Sequence, residues 1–141
     1  MTKNNRNIIV AVKGVIINEG KILLVQRASA DAVGGGTWEC AGGKIEFGEG
    51  LEAALVREIK EETGLTVTVD NLLYAASFLT DPARQVIIIT YLCRSGEQVI
   101  RLSEEHTDYR WCTKDLIHRL LPPQIFAEFV KYHILELEGL Q

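Results

Sequence analysis

The amino-acid sequence predicts an α/β/α sandwich, that is, an α+β fold in which a mixed β-sheet is flanked by helices. Three observations predict it. Short segments rich in β-branched residues are separated by glycine, asparagine and proline turn signals. One well-patterned helix interrupts these segments, and helical patterns return near the C-terminus. The length of 141 residues suits a single domain, residues 1–141, with one hydrophobic core.

The N-terminal segment predicts a β-hairpin. Ile8–Ile17 is rich in β-branched residues, and Asn18-Glu19-Gly20 follows it as a turn signal. Lys21–Gln26 is expected to be the second strand of this hairpin. Ala28–Thr37, which contains three consecutive glycines, is then expected to be a loop that can come close to a ligand.

A short extended piece and a helix follow this loop. Trp38–Ala41 is expected to be extended, and the glycines Gly42-Gly43 are expected to end it. Leu51–Thr63 has the pattern of a helix. Gly64 stands where a left-handed C-terminal cap belongs, and Leu65 is placed to pack back on the helix.

The C-terminal half predicts further strands and then helices. Val86-Ile87-Ile88-Ile89 is a continuous apolar run, which suits a buried strand. Pro122-Pro123 precedes an amphipathic pattern whose apolar face includes Phe129 and Val130. The expected strands are Thr66–Val69, Leu72–Phe78, Gln85–Cys93 and Asp108–Cys112, the expected turns are Thr80–Arg84 and Ser95-Gly96-Glu97, and the expected helices are Lys114–Leu120 and Ile125–Leu137.

Charge and cysteine content argue against several classes of function. The net charge of −4 argues against a broad phosphate-backbone footprint and so against nucleic-acid binding. The three cysteines are widely spaced, so we expect a reducing cytosol rather than a disulfide framework or a zinc site. No apolar run approaches the roughly 18 residues of a membrane span. We therefore expect a cytoplasmic protein without a membrane partner, and we expect its histidines, which lack metal-ligand spacing, to be ordinary residues.

The helix Leu51–Thr63 breaks the usual rule that a helix turns apolar residues inward and charged residues outward. At about 100° per residue, Glu58 and Glu62 project near the direction of Leu51 and Leu55. Acidic side chains therefore share the face that the first half of the helix turns toward the core. Such violations of the pattern are expected at functional sites.

Glu58, Glu61 and Glu62 are spaced i, i+3 and i+4, so their side chains are close neighbours on the helix. Like charges this close repel each other, and at least one pKa should rise unless a positive charge intervenes. A divalent cation relieves the repulsion, and hard oxygen ligands favour Mg²⁺ or Mn²⁺ over zinc. The alternative is a solvated face of glutamates and lysines, and helix geometry alone leaves both interpretations open.

The residues around this helix resemble the Nudix box, the signature of a family of hydrolases. The family pattern is G-x5-E-x7-R-E-U-x-E-E-x-G-U, where U is a bulky apolar residue, and here it covers 23 residues. Every specified position matches in one register, which is far more specific than a lone glycine-rich motif. The matching residues are Gly43, Glu49, Arg57, Glu58, Ile59, Glu61, Glu62, Gly64 and Leu65. The resemblance implies the family's α/β/α sandwich and hydrolysis of a diphosphate linkage in a nucleotide-like substrate.

The resemblance also implies a metal site. Glu58, Glu61 and Glu62 resemble the family's metal-binding carboxylates, one of which acts as a general base. In many members the backbone carbonyl at the position of Gly42 is a further ligand. Glu105, which lies before the last expected strand, resembles another metal carboxylate of the family, and a solvated loop acid is the alternative for it. The implied cofactor is Mg²⁺ or Mn²⁺.

Other roles implied by the resemblance concern positioning and substrate. Arg57 is expected to orient the neighbouring carboxylates, with Glu49 as its partner, and an ordinary surface ion pair is the alternative. Arg27 matches a position that contacts nucleotide in some relatives, although it could equally be a surface arginine. Trp38 could stack on a base or belong to the core or its rim.

Two departures from the family argue against specificity for oxidised guanine nucleotides. Members with that specificity commonly have Phe-Pro before the double glycine, where this chain has Cys40-Ala41. They also tend to have a base-reading asparagine near the final helix, where this chain has Gln124. Pro82 resembles a proline of ADP-ribose enzymes, but relatives that cleave triphosphates have one nearby too.

The sequence is compatible with three functions. The resemblance favours a pyrophosphohydrolase of the MutT-like type acting on a nucleoside triphosphate. The alternatives are a hydrolase of ADP-ribose or of another nucleoside diphosphate linked to a second group, and a catalytically silent module that binds nucleotides. The intact set of glutamates argues against the silent module. A homodimer is compatible with the resemblance, because many relatives dimerise.

Overall fold

The computed structural model describes residues 5–29, 35–96 and 99–141 of the chain. Within these ranges, strands form one mixed sheet and helices lie on both of its faces, so the predicted α/β/α sandwich is confirmed. The strands are β1 (Asn7–Asn18), β2 (Lys21–Arg27), β3 (Trp38–Glu39), β4 (Ala41–Lys44), β5 (Thr68–Asp81), β6 (Arg84–Arg94) and β7 (His106–Cys112), and the α-helices are α1 (Leu51–Thr63), α2 (Lys114–Leu120) and α3 (Pro123–Lys131).

Strand β1 lies in the middle of the sheet. It pairs in parallel with β6 along its length, from Asn7 opposite Arg84 to Ile17 opposite Arg94. On its other side it pairs antiparallel with β2 and with β4. The sheet order is β3-β2-β1-β6-β5, with β4 also paired to β1 and β7 paired to β2. One parallel pair among antiparallel pairs makes the sheet mixed, as predicted.

Alternate side chains of β1 point to opposite faces of the sheet and pack into the two halves of the hydrophobic core. Val12 and Ile16 pack on the side of α1, whereas Val15 and Ile17 pack with α2 and α3 on the opposite face. Lys13, two residues from Val15, therefore points to the α3 side of the sheet. The central strand therefore carries a charged side chain near its middle.

Two of the predicted helices are confirmed with the predicted bounds. Leu51–Thr63 and Lys114–Leu120 are helical as predicted. Gly64 is left-handed, with φ of 80°, and its N–H donates to the Lys60 carbonyl. Leu65 is fully buried, as expected of a residue that packs back on the helix.

The expectation that Gly42-Gly43 would end an extended piece is wrong. Strand β4 runs through both glycines and pairs Gly42 with Lys13 and Gly43 with Val12. Gly42 has φ of 145°, and a Cβ on it would lie 2.0 Å from the Val12 carbonyl oxygen. Glycine is needed there because the two backbones approach so closely.

Two other boundaries differ from expectation. Thr66–Val69 and Leu72–Phe78 are not separate strands, because one continuous strand, β5, covers most of both segments. Its pairing with β6 continues across register shifts of the kind that a β-bulge produces. The last helix spans Pro123–Lys131 and not Ile125–Leu137. His133 has φ of 61°, and a left-handed residue of this kind ends an α-helix.

The apolar faces of two helices are narrower than expected. Leu51 is exposed, since the buried face of α1 is centred on Leu55, Ile59 and Glu62. Val130 is 52% exposed and does not belong to the core face of α3. Parts of the expected glycine-rich loop and Glu97 lie outside the described residues. In the described part of the chain, no helix is both long and apolar enough to cross a membrane.

Candidate active site

An open cavity of about 800 Å³ lies where α1, β1, β4, the β5–β6 hairpin and the start of α3 meet. The structure brings most of the predicted site residues together on its wall. Arg57 and Glu49 lie beside the cavity, and Trp38 lines a smaller pocket that adjoins it. The predicted residues that line the cavity are Arg27, Gly42, Glu58, Glu61, Glu62 and Glu105.

Arg57 holds the acidic residues of this region together. Its Nε and Nη2 donate to the two oxygens of Glu49 at 2.6 and 2.9 Å. Its Nη1 donates to Glu58 Oε2 at 3.1 Å and to Glu61 Oε1 at 3.2 Å. Nη2 also donates to the Lys44 carbonyl at 3.2 Å. Five N–H groups in a planar fork suit this geometry, which a lysine could not reproduce.

Glu62 is the most buried of the acids, with 4% of its surface exposed. Its Oε1 accepts a hydrogen bond from the Gly42 N–H at 3.0 Å. Burial raises the pKa of Glu62 to about 7, against the opposing effects of Lys13 and of the Gly42 N–H. A buried glutamate with a pKa near neutrality is typical of a functional site.

Glu58, one helical turn before Glu62, and Glu61, the residue next to it, line the same cavity. Burial raises the pKa of Glu58 despite the hydrogen bond from Arg57, and the charges of Glu61 and Glu105 raise it further. Glu105, on the loop before β7, is therefore close enough to Glu58 for their negative charges to repel. A Cβ on Gly43 would lie 2.4 Å from Glu58 Oε1, so glycine leaves the space that this carboxylate occupies.

The donor set fits a hard divalent cation. Glutamate oxygens and backbone carbonyls are the ligands that Mg²⁺ and Mn²⁺ prefer. In residues 5–29, 35–96 and 99–141, no three acidic, histidine or cysteine side chains already converge as a metal cluster. Arg57 binds Glu58 and Glu61, and Glu62 is bound to the Gly42 N–H. Glu61, whose side chain is 59% exposed, is free to turn without disturbing the core.

A second charged cluster, which the sequence pattern did not reveal, lies in the same cavity. Glu39 is its centre: Oε1 lies 3.3 Å from Lys13 Nζ and 3.4 Å from Arg27 Nη1, and Oε2 lies 2.8 Å from His106 Nε2. Burial alone would raise the pKa of Glu39, but Lys13, His106 and Arg27 outweigh it and lower the pKa to about 2. We refer to Lys13, Arg27, Glu39 and His106 as the Glu39 cluster.

His106 corrects the expectation that the histidines are ordinary residues. It is buried, and within the described ranges its Nδ1 has no hydrogen-bond partner. The signal that could have revealed the cluster is weak. Lys13 interrupts an apolar strand and Glu39 stands next to buried residues, and a charged residue in such a place needs a partner.

A smaller pocket adjoins the main cavity on the α3 side of the sheet. Its walls are mainly aromatic and aliphatic, with the hydroxyl of Thr90 among them. Lys13 and Glu39 line both the pocket and the cavity. Trp38 is part of the pocket wall, is partly buried against the core, and has the Arg110 guanidinium 5.8 Å from its ring centroid. The apolar lining residues are Trp38, Tyr74, Phe78, Ile88, Pro122, Ile125 and Phe129.

Comparison with known proteins defines the class to which this fold and this cavity belong. The family model of the NUDIX domain matches residues 8–132. A MutT-like protein of Streptomyces ambofaciens is 36% identical over 107 residues, which are 75% of this chain and 64% of that relative's length. The nucleoside triphosphatase NudI of Escherichia coli O139:H28 is 34% identical over 115 residues, covering 74% of this chain and 82% of the relative. The chain belongs to the Nudix family of hydrolases.

Solved structures agree with this assignment. The crystal structure of a MutT protein from Methanosarcina mazei Go1 superposes with a TM-score of 0.83 at 28% identity, over 94% of this chain and 98% of that one. The solution structure of the E. coli ORF135 protein has a TM-score of 0.74 at 26% identity, over 97% of this chain and 96% of that one. The MutT-like resemblance predicted from the Nudix box is therefore confirmed.

Proposed function

We propose that this chain is a metal-dependent pyrophosphohydrolase that splits a nucleoside triphosphate into the monophosphate and pyrophosphate. One observation carries the proposal: Glu58, Glu61, Glu62 and Glu105 line a single open cavity together with the backbone of Gly42. An array of four carboxylates is costly unless a cation is shared among them. The likeness to a relative named as a nucleoside triphosphatase supports the choice of substrate class.

The same residues would hold Mg²⁺ or Mn²⁺, with the Gly42 carbonyl as a further ligand. When bound, such a cation supplies positive charge against the phosphate oxygens and makes a nearby water more acidic. We expect activity to require added Mg²⁺ or Mn²⁺ and to be abolished by a chelator.

Other side chains of the site would position the acids, accept a proton and bind the nucleotide. Arg57, anchored by its two bonds to Glu49, positions Glu58 and Glu61 on the cavity wall. One of these two glutamates takes up the proton of the attacking water. Arg27, which lines the same cavity, offers a guanidinium to the nucleotide.

A panel of nucleotides tests the proposal by the identity of the products. Nucleoside triphosphates, ADP-ribose and UDP-sugars should be incubated with Mg²⁺, with Mn²⁺ and with EDTA. Pyrophosphate release from a triphosphate supports the proposal. Two monophosphate products from ADP-ribose or a UDP-sugar, without turnover of triphosphates, would replace it with the second class of hydrolase. Tight nucleotide binding without any turnover would indicate a silent module.

Substitutions on α1 test the role of the acids. Glu58→Gln and Glu62→Gln should each lower kcat by at least about 10²-fold while the protein remains folded. Glu52→Gln is the matched control, because Glu52 is an exposed acid on the same helix that does not line the cavity. Activity near that of the wild type in either cavity variant would contradict the assignment.

A further inference from the structure

Lys13 lies in the wall of the cavity, yet the proposed hydrolysis does not use it. Its side chain is only 14% exposed. Among the described residues, the partner of its Nζ is Glu39 Oε1 at 3.3 Å. Burying an ammonium group destabilises a fold unless the group is paired and hydrogen-bonded. An ammonium has three N–H donors, and Glu39 accepts from only one of them. Two N–H groups therefore remain for an acceptor.

The location of Lys13 indicates what that acceptor is. Lys13 lines both the main cavity, which holds the acids of α1, and the smaller apolar pocket beside it. Trp38, Tyr74 and Phe78 in the pocket wall suit a flat ring, because aromatic side chains pack well against such a surface. If the proposed function holds, the phosphates occupy the cavity and the base of the nucleotide enters the pocket.

Lys13 is the member of the Glu39 cluster that lines the pocket with hydrogen-bond donors still available to the base. Glu39 Oε1 already has Lys13 and Arg27 beside it, and Oε2 is bound to His106. An ammonium donates hydrogen bonds but accepts none, so it pairs with a carbonyl oxygen and not with an amino group. We propose that Lys13 Nζ donates a hydrogen bond to a carbonyl oxygen of the base, so that the enzyme discriminates against adenine, the one common base without a ring carbonyl.

Inosine and adenosine triphosphates form a matched pair for the test. Their bases have the same bicyclic frame, and hypoxanthine carries at position 6 the oxygen that adenine replaces with an amino group. A site built around a hydrogen bond rejects an analogue that cannot make it. We expect kcat/KM for ITP to exceed that for ATP by at least about tenfold in the wild type.

Variants of Lys13 separate recognition from a structural role. Lys13→Met should bring the ITP/ATP ratio close to one, mainly through loss of activity on ITP, and Lys13→Arg should restore a preference for ITP. A purely structural effect would lower both activities and leave the ratio unchanged. Lys44→Met is the control, because Lys44 lines the cavity but not the pocket, and its ITP/ATP ratio should match that of the wild type.

The outcomes distinguish this inference from the proposed function. If no triphosphate is hydrolysed, the proposed function fails. If triphosphates are hydrolysed but wild-type ITP and ATP react equally well, the role of Lys13 is overturned whatever the variants do. A ratio that survives in folded Lys13→Met overturns it too. Circular dichroism and thermal unfolding establish that each variant is folded.

Discussion

Replacing Glu39 with glutamine should destabilise the protein in a way that depends on pH. The pKa of Glu39 is lowered from its ordinary value of 4.5 to about 2 by the charges around it. That difference corresponds to about 3 kcal/mol of folding stability at pH 7. Because the pKa is lowered on folding, this contribution is fully present above pH 4.5 and is lost as the pH falls toward 2.

Urea denaturation of the wild type and of Glu39→Gln measures this contribution. The free energy of unfolding should differ by about 3 kcal/mol at pH 7, with Tm about 10 °C lower in the variant. At pH 3 the difference should fall to about half or less of its value at pH 7. Asp115→Asn is the control: its partner Arg119 is on the surface of α2, so the effect should be at most about 0.5 kcal/mol.

Two results would refute the reasoning about Glu39. The first is a variant as stable as the wild type at pH 7, since the charge of Glu39 would then contribute nothing. The second is a loss of stability that stays constant between pH 7 and pH 3. Such a loss would come from packing and not from the charges of Lys13, Arg27 and His106.

Three further substitutions test the geometry of the site. Gly43→Ala should leave Tm nearly unchanged but lower kcat at least about tenfold, because the new Cβ displaces the flexible carboxylate of Glu58. Gly42→Ala should instead cost about 3 kcal/mol or more in a denaturation experiment, because its Cβ meets the rigid Val12 backbone. Arg57→Lys should lower kcat about tenfold in steady-state assays without unfolding the protein, since lysine cannot hold three carboxylates at once. An unaltered kcat in Gly43→Ala or Arg57→Lys, or an unaltered stability in Gly42→Ala, would contradict the corresponding contact.

The sequence by itself determined the parts of the protein that depend on near neighbours in the chain. Helix α1 and its cap at Gly64 follow from periodicity and from one glycine within a single segment. Glu58, Glu61 and Glu62 of the Nudix box lie on that same helix, so their common face could be worked out from 100° per residue. The boundaries of β5 and α3 could not, because pairing with β6 and a left-handed His133 override the local pattern.

Only the tertiary structure decided which distant residues meet the acids. Glu39 and His106 are 67 positions apart in the chain, and Lys13 comes from a third strand, so no local spacing links them. They come together because β1, β3 and β7 belong to one sheet, whose register is set by hydrophobic pairing over its whole area. The charge pattern that holds Glu39 ionised, and places Lys13 beside the apolar pocket, therefore exists only once the sheet has formed.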